Sequence, residues 1–248
     1  MKIRVSRTLV AILFCGLATA SHSALAATTT LQYQGAAYGF LNGKIKADFT
    51  PSTWWNPGSW GLETQSASAG GFNMLDKGTG QSLIAWCVDV FTAISNKFDY
   101  TVGSPSQLNR SDDLQKLVNQ RYAQVTDTKT SAAFQLAIWE IVTDTGGGYS
   151  LNNGTFQASG FGNAQALARE WLKLDGVNTG NYKISYFYDS ILNDKNTSQN
   201  LIAVSAVPLP GAAVLMLSAL GLAGLVSRRR RASKSLPGAE HQHSVAAI

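Results

Sequence analysis

The first half of the chain is dominated by the alternation of apolar and polar residues that is typical of β-strands. An early alternating stretch contains the turn-forming pair Asn42-Gly43, which predicts a hairpin made of strands 30–41 and 44–49. A nearly continuous apolar run at 83–91 predicts a strand that is buried on both faces. The sequence therefore begins as a β-rich domain.

Between these strands, residues 51–80 are rich in Gly, Ser, Asn and Trp and predict an ordered loop. Its Trp54, Trp55 and Trp60 have two interpretations, because they can cap the core or form an aromatic platform for a sugar. Residues 97–102 alternate again and are predicted to form a strand that pairs with the buried one.

Apolar stripes at helical spacing follow. Ser111 is the expected N-cap of a first helix, a second helix is predicted over 127–144, and a third over 162–174. Two further strands are predicted at 182–189 and 200–206. This order predicts an α+β domain, with a mainly antiparallel β-sheet or barrel and an inserted three-helix region.

Both ends of the chain carry targeting patterns. Residues 1–26 combine a basic start, a short apolar stretch and a small-x-small cleavage pattern, which predicts a secretory signal peptide; an uncleaved N-terminal anchor is the alternative. The uncharged run at 207–227 is long enough for one C-terminal transmembrane helix. The basic cluster behind it places the domain 27–206 outside the cytoplasm. That cluster consists of Arg228, Arg229, Arg230 and Arg231.

The same C-terminal residues resemble a known sorting signal. Pro208-Leu209-Pro210, an apolar helix and an arginine cluster follow one another, and residues 207–231 thereby resemble the PEP-CTERM tail of Gram-negative bacteria. The resemblance implies an exosortase partner that cuts near Pro-x-Pro, after signal peptidase and a stay in the inner membrane, and delivery to the cell surface or extracellular matrix. Leu209 stands where an acidic residue is usual, and the polar tail 232–248, expected to be disordered, is longer than the family's. A plain single-pass anchor is the alternative.

The positive charge of the chain belongs to these ends. The whole sequence has a net charge of +5. Removing the eight basic residues of the two ends, together with Glu240, leaves 12 basic and 14 acidic residues in 27–226, or about −2. A domain of this charge has no basic face for nucleic acid, so no nucleic-acid partner is predicted.

Several chemistries are excluded by composition. The three histidines are His22, His241 and His243, so none lies in the domain 27–206. This excludes Ser-His-Asp and Cys-His catalysis as well as histidine-ligated metal sites. No phosphate-binding loop is present, and we expect neither a cofactor nor a metal.

Scattered carboxylates remain as candidates for hydrolytic chemistry. A distant pair could perform glycoside hydrolysis, although the sequence does not select a pair. Asp144, close to Gly146, is interpreted either as a solvated helix end or as a calcium ligand. The carboxylates concerned are Asp89, Asp99, Asp112, Asp113, Glu140, Asp144, Glu170 and Asp175.

Cysteine usage draws attention to one residue. Cleavage of the signal peptide removes Cys15, which leaves Cys87 as the only cysteine in an oxidising compartment, without an internal disulfide. Gln135 falls in the apolar stripe of the second predicted helix, and a buried amide needs partners because each unmet group costs about 1–3 kcal/mol. One interpretation is therefore a hydrogen-bonded core glutamine beside an inert buried cysteine.

A second resemblance concerns the same two residues. Trp-Cys-Val at 86–88 and Phe-Gln-Leu-Ala at 134–137 resemble, in order and spacing, two motifs of bacterial surface thioester (TQXA-like) domains, with Phe134 at the usual Thr position. The resemblance implies that Cys87 attacks the Gln135 carboxamide, expels ammonia and forms a thioester that a partner amine, such as a surface lysine, opens. The neighbours expected to exclude water from it are Trp86, Val88, Phe134 and Trp139.

Three functions of different classes follow from these observations. The first is an exported surface or matrix protein that acts as a covalent adhesin through a Cys87–Gln135 thioester. The second is a non-reactive structural or binding protein of the extracellular matrix, with the same sorting tail. The third is a secreted hydrolase that uses carboxylates. Thioester capture is a single-use reaction, so the first two predict a protein that is not an enzyme.

Overall fold

The computed structural model describes residues 27–48, 62–90, 92–144, 146–177, 180–189 and 198–207. Within these ranges the strands are β1 Thr28–Ala36, β2 Leu41–Asp48, β3 Leu62–Ala69, β4 Phe72–Asp76, β5 Ser82–Cys87, β6 Lys97–Gly103, β7 Phe156–Ser159, β8 Tyr182–Tyr188 and β9 Leu201–Ala206. The helices are α1 Ser111–Arg121, α2 Thr128–Thr143 and α3 Asn163–Trp171, with short 3-10 turns at Pro105–Gln107 and Tyr122–Gln124.

Six antiparallel strands close into a barrel in the order β1-β4-β5-β9-β8-β6. Strand β5 lies between β4 and β9, so that Ala85 pairs with Phe72 on one side and with Ala203 on the other. The last strand of the described domain, β9, therefore closes the barrel directly beside the strand that carries Cys87.

A second sheet and the helices cover one side of the barrel. The sheet has the order β3-β2-β7. Helix α2 contacts both other helices as well as strands β2, β3, β5 and β7, and its residues from Ser131 to Ile141 are buried. Trp86, Phe134 and Trp171 are buried at the junction of barrel and helices. The core thus surrounds α2.

The structure confirms the α+β class, the antiparallel barrel and the three-helix insert. Helix α2 begins where the sequence indicates, because Asp127 and Thr130 form a reciprocal capping box. The insert also contains a strand that the sequence analysis did not predict, β7, which pairs with β2.

The predicted hairpin at Asn42-Gly43 is wrong. Strand β1 pairs with β4 and β6, whereas Asn42 and Gly43 lie inside β2, opposite Ser68 and Ala67 of β3. Gly43 is required by packing rather than by a turn, because a Cβ there would lie 2.6 Å from ring atoms of Phe161.

Three further predictions need correction. Strand β6, at the predicted 97–102, pairs with β1 and β8 and not with β5. The predicted loop 51–80 contains β3, a Ser- and Ala-rich strand that pairs with β2, and β4, which pairs with β1 and β5. The N-cap of α1 is Arg110 rather than Ser111; Arg110 is left-handed at φ 51° and makes no side-chain cap.

Other predictions fall outside the described residues. These are the signal peptide 1–26, Trp54, Trp55 and Trp60, the Pro-x-Pro element, the transmembrane segment, the arginine cluster and the tail 232–248. In the part of the chain that the structure describes, no helix is both long enough and apolar enough to cross a membrane.

Candidate functional site

Cys87 lies where β4 diverges from β5. The β4–β5 ladder ends with Phe72 opposite Ala85, so no residue of β4 pairs with Cys87. On the other side, the Val88 N–H donates to the Asn200 carbonyl at 3.0 Å. In a strand, the N–H and C=O of one residue point to the same edge, and those of the next residue point to the opposite edge. Because Val88 faces β9, the N–H and C=O of Cys87 face the side that β4 has left.

The side chain of Gln135 occupies that side. The Cys87 N–H donates to Gln135 Oε1 at 3.1 Å, and Gln135 Nε2 donates to the Cys87 carbonyl at 2.7 Å. Both residues are only 1 % exposed. The carboxamide thus replaces a strand partner and is held against the Cys87 backbone by both of its polar atoms.

A serine one helical turn earlier fixes the same face of α2. The Gly71 N–H, at the end of β4, donates to Ser131 Oγ at 2.9 Å. Glycine at position 71 also leaves room for the Trp86 ring, from which a Cβ there would lie 3.0 Å. The sequence analysis missed Ser131, although a buried hydroxyl at i−4 from Gln135 is the available signal. Ser131 and Gln135 together dock α2 onto β4 and β5.

The Cys87 thiol is neutral in this environment. Burial raises its pKa well above 9, and the Asp89 carboxylate adds to the rise, while the Trp139 side chain and the Asp89 backbone oppose it. The thiol donates to the Asp89 carbonyl oxygen. Trp139 Nε1 is buried without a well-formed hydrogen bond to the described residues, so its N–H is available beside the sulfur. Any attack by this thiol must transfer its proton as the new bond forms.

A groove of about 410 Å³ lies next to the buried pair. Its walls come from β3, from the barrel residues Tyr33 and Phe72, and from the segment after β5 that includes Asp89. Trp139 lines the groove and is also the side chain beside the thiol. Trp139 therefore belongs both to the wall of the groove and to the surroundings of Cys87.

The other residues expected around the site divide into two sets. Trp86 and Phe134 pack edge to face, with ring centroids 5.1 Å apart, in a buried aromatic cluster that Tyr122 and Trp171 extend. Val88 is 7 % exposed and Trp139 borders the groove. Trp86, Val88, Phe134 and Trp139 are thus all buried, and Trp139 alone of the four lines the groove.

Within the described residues the carboxylates do not assemble into a metal site. No group of three or more His, Cys, Asp or Glu side chains lies together there. Asp144 is 2 % exposed rather than solvated, and it accepts hydrogen bonds from the Gly146 N–H and the Thr155 hydroxyl. Among the carboxylates on the described surface, Asp89 lines the groove.

The hydrogen bonds at Gln135 define what this arrangement can do chemically. A nucleophile that attacks the carboxamide carbon moves negative charge onto Oε1, and the Cys87 N–H already donates to that atom. A donor placed at a developing oxyanion stabilises the transition state of acyl transfer. The Cys87 N–H therefore lies where an oxyanion donor for acyl chemistry at Gln135 would be needed.

Comparison with known proteins gives one family match and one structural similarity. Residues 206–231 match the PEP-CTERM protein-sorting motif, which implies an exported protein that an exosortase processes at the membrane. The chain resembles the thioester domain of the Staphylococcus aureus TIE protein, with a TM-score of 0.34 and 14 % identity, over 73 % of this chain and 79 % of that one. That likeness is too distant to support an argument about chemistry. A search of curated proteins finds no match.

Proposed function

We propose that this exported protein is a covalent adhesin of the cell surface or extracellular matrix, with an internal thioester between Cys87 and Gln135. The observation that carries the proposal is the pair of hydrogen bonds that hold the Gln135 carboxamide on the Cys87 backbone. The family match supports export and sorting by exosortase.

Thioester formation follows from these contacts. The Cys87 sulfur attacks the carboxamide carbon of Gln135 while the Cys87 N–H stabilises the charge on Oε1. The thiol proton passes to Nε2, the C–N bond breaks and ammonia leaves. The product keeps its acyl carbon electrophilic because thiolate is a good leaving group, and burial at 1 % exposure protects it from water.

A partner amine then completes the function. It takes the acyl group from Cys87 and becomes joined to Gln135 by an amide bond. The protein is consumed in this step and does not turn over, so it is a binding protein and not an enzyme.

A second function is favoured by the same burial. Gln135 satisfies the backbone groups that β4 leaves unpaired, and burial raises the pKa of the Cys87 thiol. Both residues then only stabilise the core, and the protein is a non-reactive structural or binding protein of the matrix. The two functions differ by one covalent bond, and its formation lowers the mass of the chain by one ammonia.

The test is the intact mass of the purified full chain, measured with and without methylamine, and compared with that of Cys87→Ser. The proposal requires a mass one ammonia lighter than the sequence, which is replaced by a methylamine adduct and is absent in Cys87→Ser. A full sequence mass, with a Cys87 thiol that titrates after denaturation, would overturn it and leave Cys87 and Gln135 as non-reactive core residues.

A further inference from the structure

The groove beside the site contains a single charged side chain among its described residues, and that residue is Asp89. The remaining walls are aromatic or uncharged and include Tyr33, Phe72, Gln65 and Trp139. Asp89 follows Cys87 by two residues, and its backbone carbonyl accepts the Cys87 thiol. Asp89 therefore lies both on the groove and beside the sulfur.

Asn200, the residue before β9, holds the Asp89 carboxylate in place. Its Oδ2 accepts from the Asn200 N–H at 2.7 Å, and its Oδ1 accepts from Asn200 Nδ2 at 3.3 Å. The two ion pairs of the described residues, Lys116–Asp113 and Arg121–Asp175, are elsewhere. Asp89 is thus held rigidly without a cation of the described chain to neutralise it.

The geometry points to Asp89 as the residue that binds the ammonium group of a partner lysine and accepts its proton, so that the groove selects lysine side chains over uncharged nucleophiles. This inference rests on the proposed thioester. Charge complementarity supports it, because a partly buried carboxylate gains most from a cationic ligand. Burial, and then the nearby Asp189, raise the pKa of Asp89, which makes its carboxylate a better base.

The chemical step balances with these groups. The lysine ammonium gives one proton to the Asp89 carboxylate, and the freed nitrogen lone pair attacks the acyl carbon of Gln135. The carbon–sulfur bond breaks and its electron pair leaves on the Cys87 sulfur. A second proton from the attacking nitrogen then passes to this sulfur. The products are an amide between the partner and Gln135, a Cys87 thiol and a protonated Asp89, which returns its proton to water.

The experiment compares two probes on the full chain by intact mass. Methylamine is a cation at neutral pH, whereas hydroxylamine is uncharged. Asp89→Asn is expected to lower the ratio of methylamine to hydroxylamine reaction rates about tenfold or more, since it removes both the charge and the base. Asp99→Asn is the matched control. Asp99 is exposed and accepts a hydrogen bond from the Thr30 hydroxyl, so this variant should keep the wild-type ratio. An unchanged ratio in Asp89→Asn would overturn the inference.

A second measurement needs no variant and covers the case in which Asp89→Asn does not fold. Tetramethylammonium, a cation that cannot react, should slow the reaction of the wild-type chain with methylamine and leave hydroxylamine unaffected. Equal effects on both probes would contradict a cation site. A wild-type chain that shows no loss of ammonia at all refutes the thioester itself. This outcome differs from a thioester that forms but reacts with the charged and uncharged probes without a preference set by Asp89.

Discussion

The carboxyl groups of Glu140 and Asp144 lie together in the interior, one helical turn apart at the end of α2. Glu140 is fully buried, and its Oε1 accepts from the Ser150 N–H. As a carboxylate, Glu140 would leave Oε2 without a partner, whereas a proton on Oε2 makes it a donor to Asp144. Burial above all, and Asp144 in addition, raise the pKa of Glu140 from 4.5 to about 7.

This pair predicts a pH-dependent stability. The folded protein holds a proton on Glu140 that the unfolded chain releases near pH 4.5, so the contribution of Glu140 is complete below pH 4.5 and is lost as the pH rises to about 7. The shift corresponds to a loss of about 3 kcal/mol. Glu140→Gln mimics the protonated form, so the free energy of unfolding of this variant should exceed that of wild type at pH 8 by up to that amount.

Urea unfolding at pH 4.5 and at pH 8 checks this prediction. Wild type and Glu140→Gln share every other titrating group, so the difference between their unfolding free energies isolates Glu140. A difference that is the same at both pH values would show that Glu140 is ionised in the folded protein.

The Cys87–Gln135 contact shows what the sequence can and cannot predict. The residue motifs at 86–88 and 134–137 identified the two side chains, and the apolar stripe predicted burial of Gln135. The reason for the contact, however, is the divergence of β4 from β5, and β4 itself was assigned to a loop. Its position depends on pairing with β1 and β5, and the strand has only five residues, with the alternation broken at Met74-Leu75, so the local pattern does not mark it as a strand.

Gln135→Ala is predicted to destabilise the fold. The substitution removes the partners of both the Cys87 N–H and the Cys87 C=O, and two unsatisfied buried groups together cost about 2–6 kcal/mol. Urea unfolding of the Cys87→Ser background measures this loss without interference from a covalent bond. Gln81→Ala, at an exposed position, is the control and should change stability by less than about 0.5 kcal/mol. A loss as small as that of the control would mean that water replaces the amide.

Gly43→Ala tests the corrected position of the Asn42-Gly43 pair. A Cβ at Gly43 would lie 2.6 Å from both the Phe161 ring and the Ser159 carbonyl, so we expect a loss of about 1–3 kcal/mol from overpacking. Gly147→Ala is the matched control, because a Cβ there meets nothing within 4 Å. Thermal unfolding of the two variants compares them. Equal melting temperatures would contradict the close packing of Phe161 on Gly43.

The position of β9 in the barrel determines when the barrel can close as the chain is exported. β9 ends at Ala206, the residue at which the sorting motif begins. Until residues 201–206 have emerged, β5 and β8 both lack a neighbour, and the Val88 N–H lacks its acceptor on Asn200. The barrel around Cys87 therefore cannot close while the chain is still being delivered. The strand that completes the barrel beside Cys87 is thus the last described strand to be synthesised, with the sorting motif directly behind it.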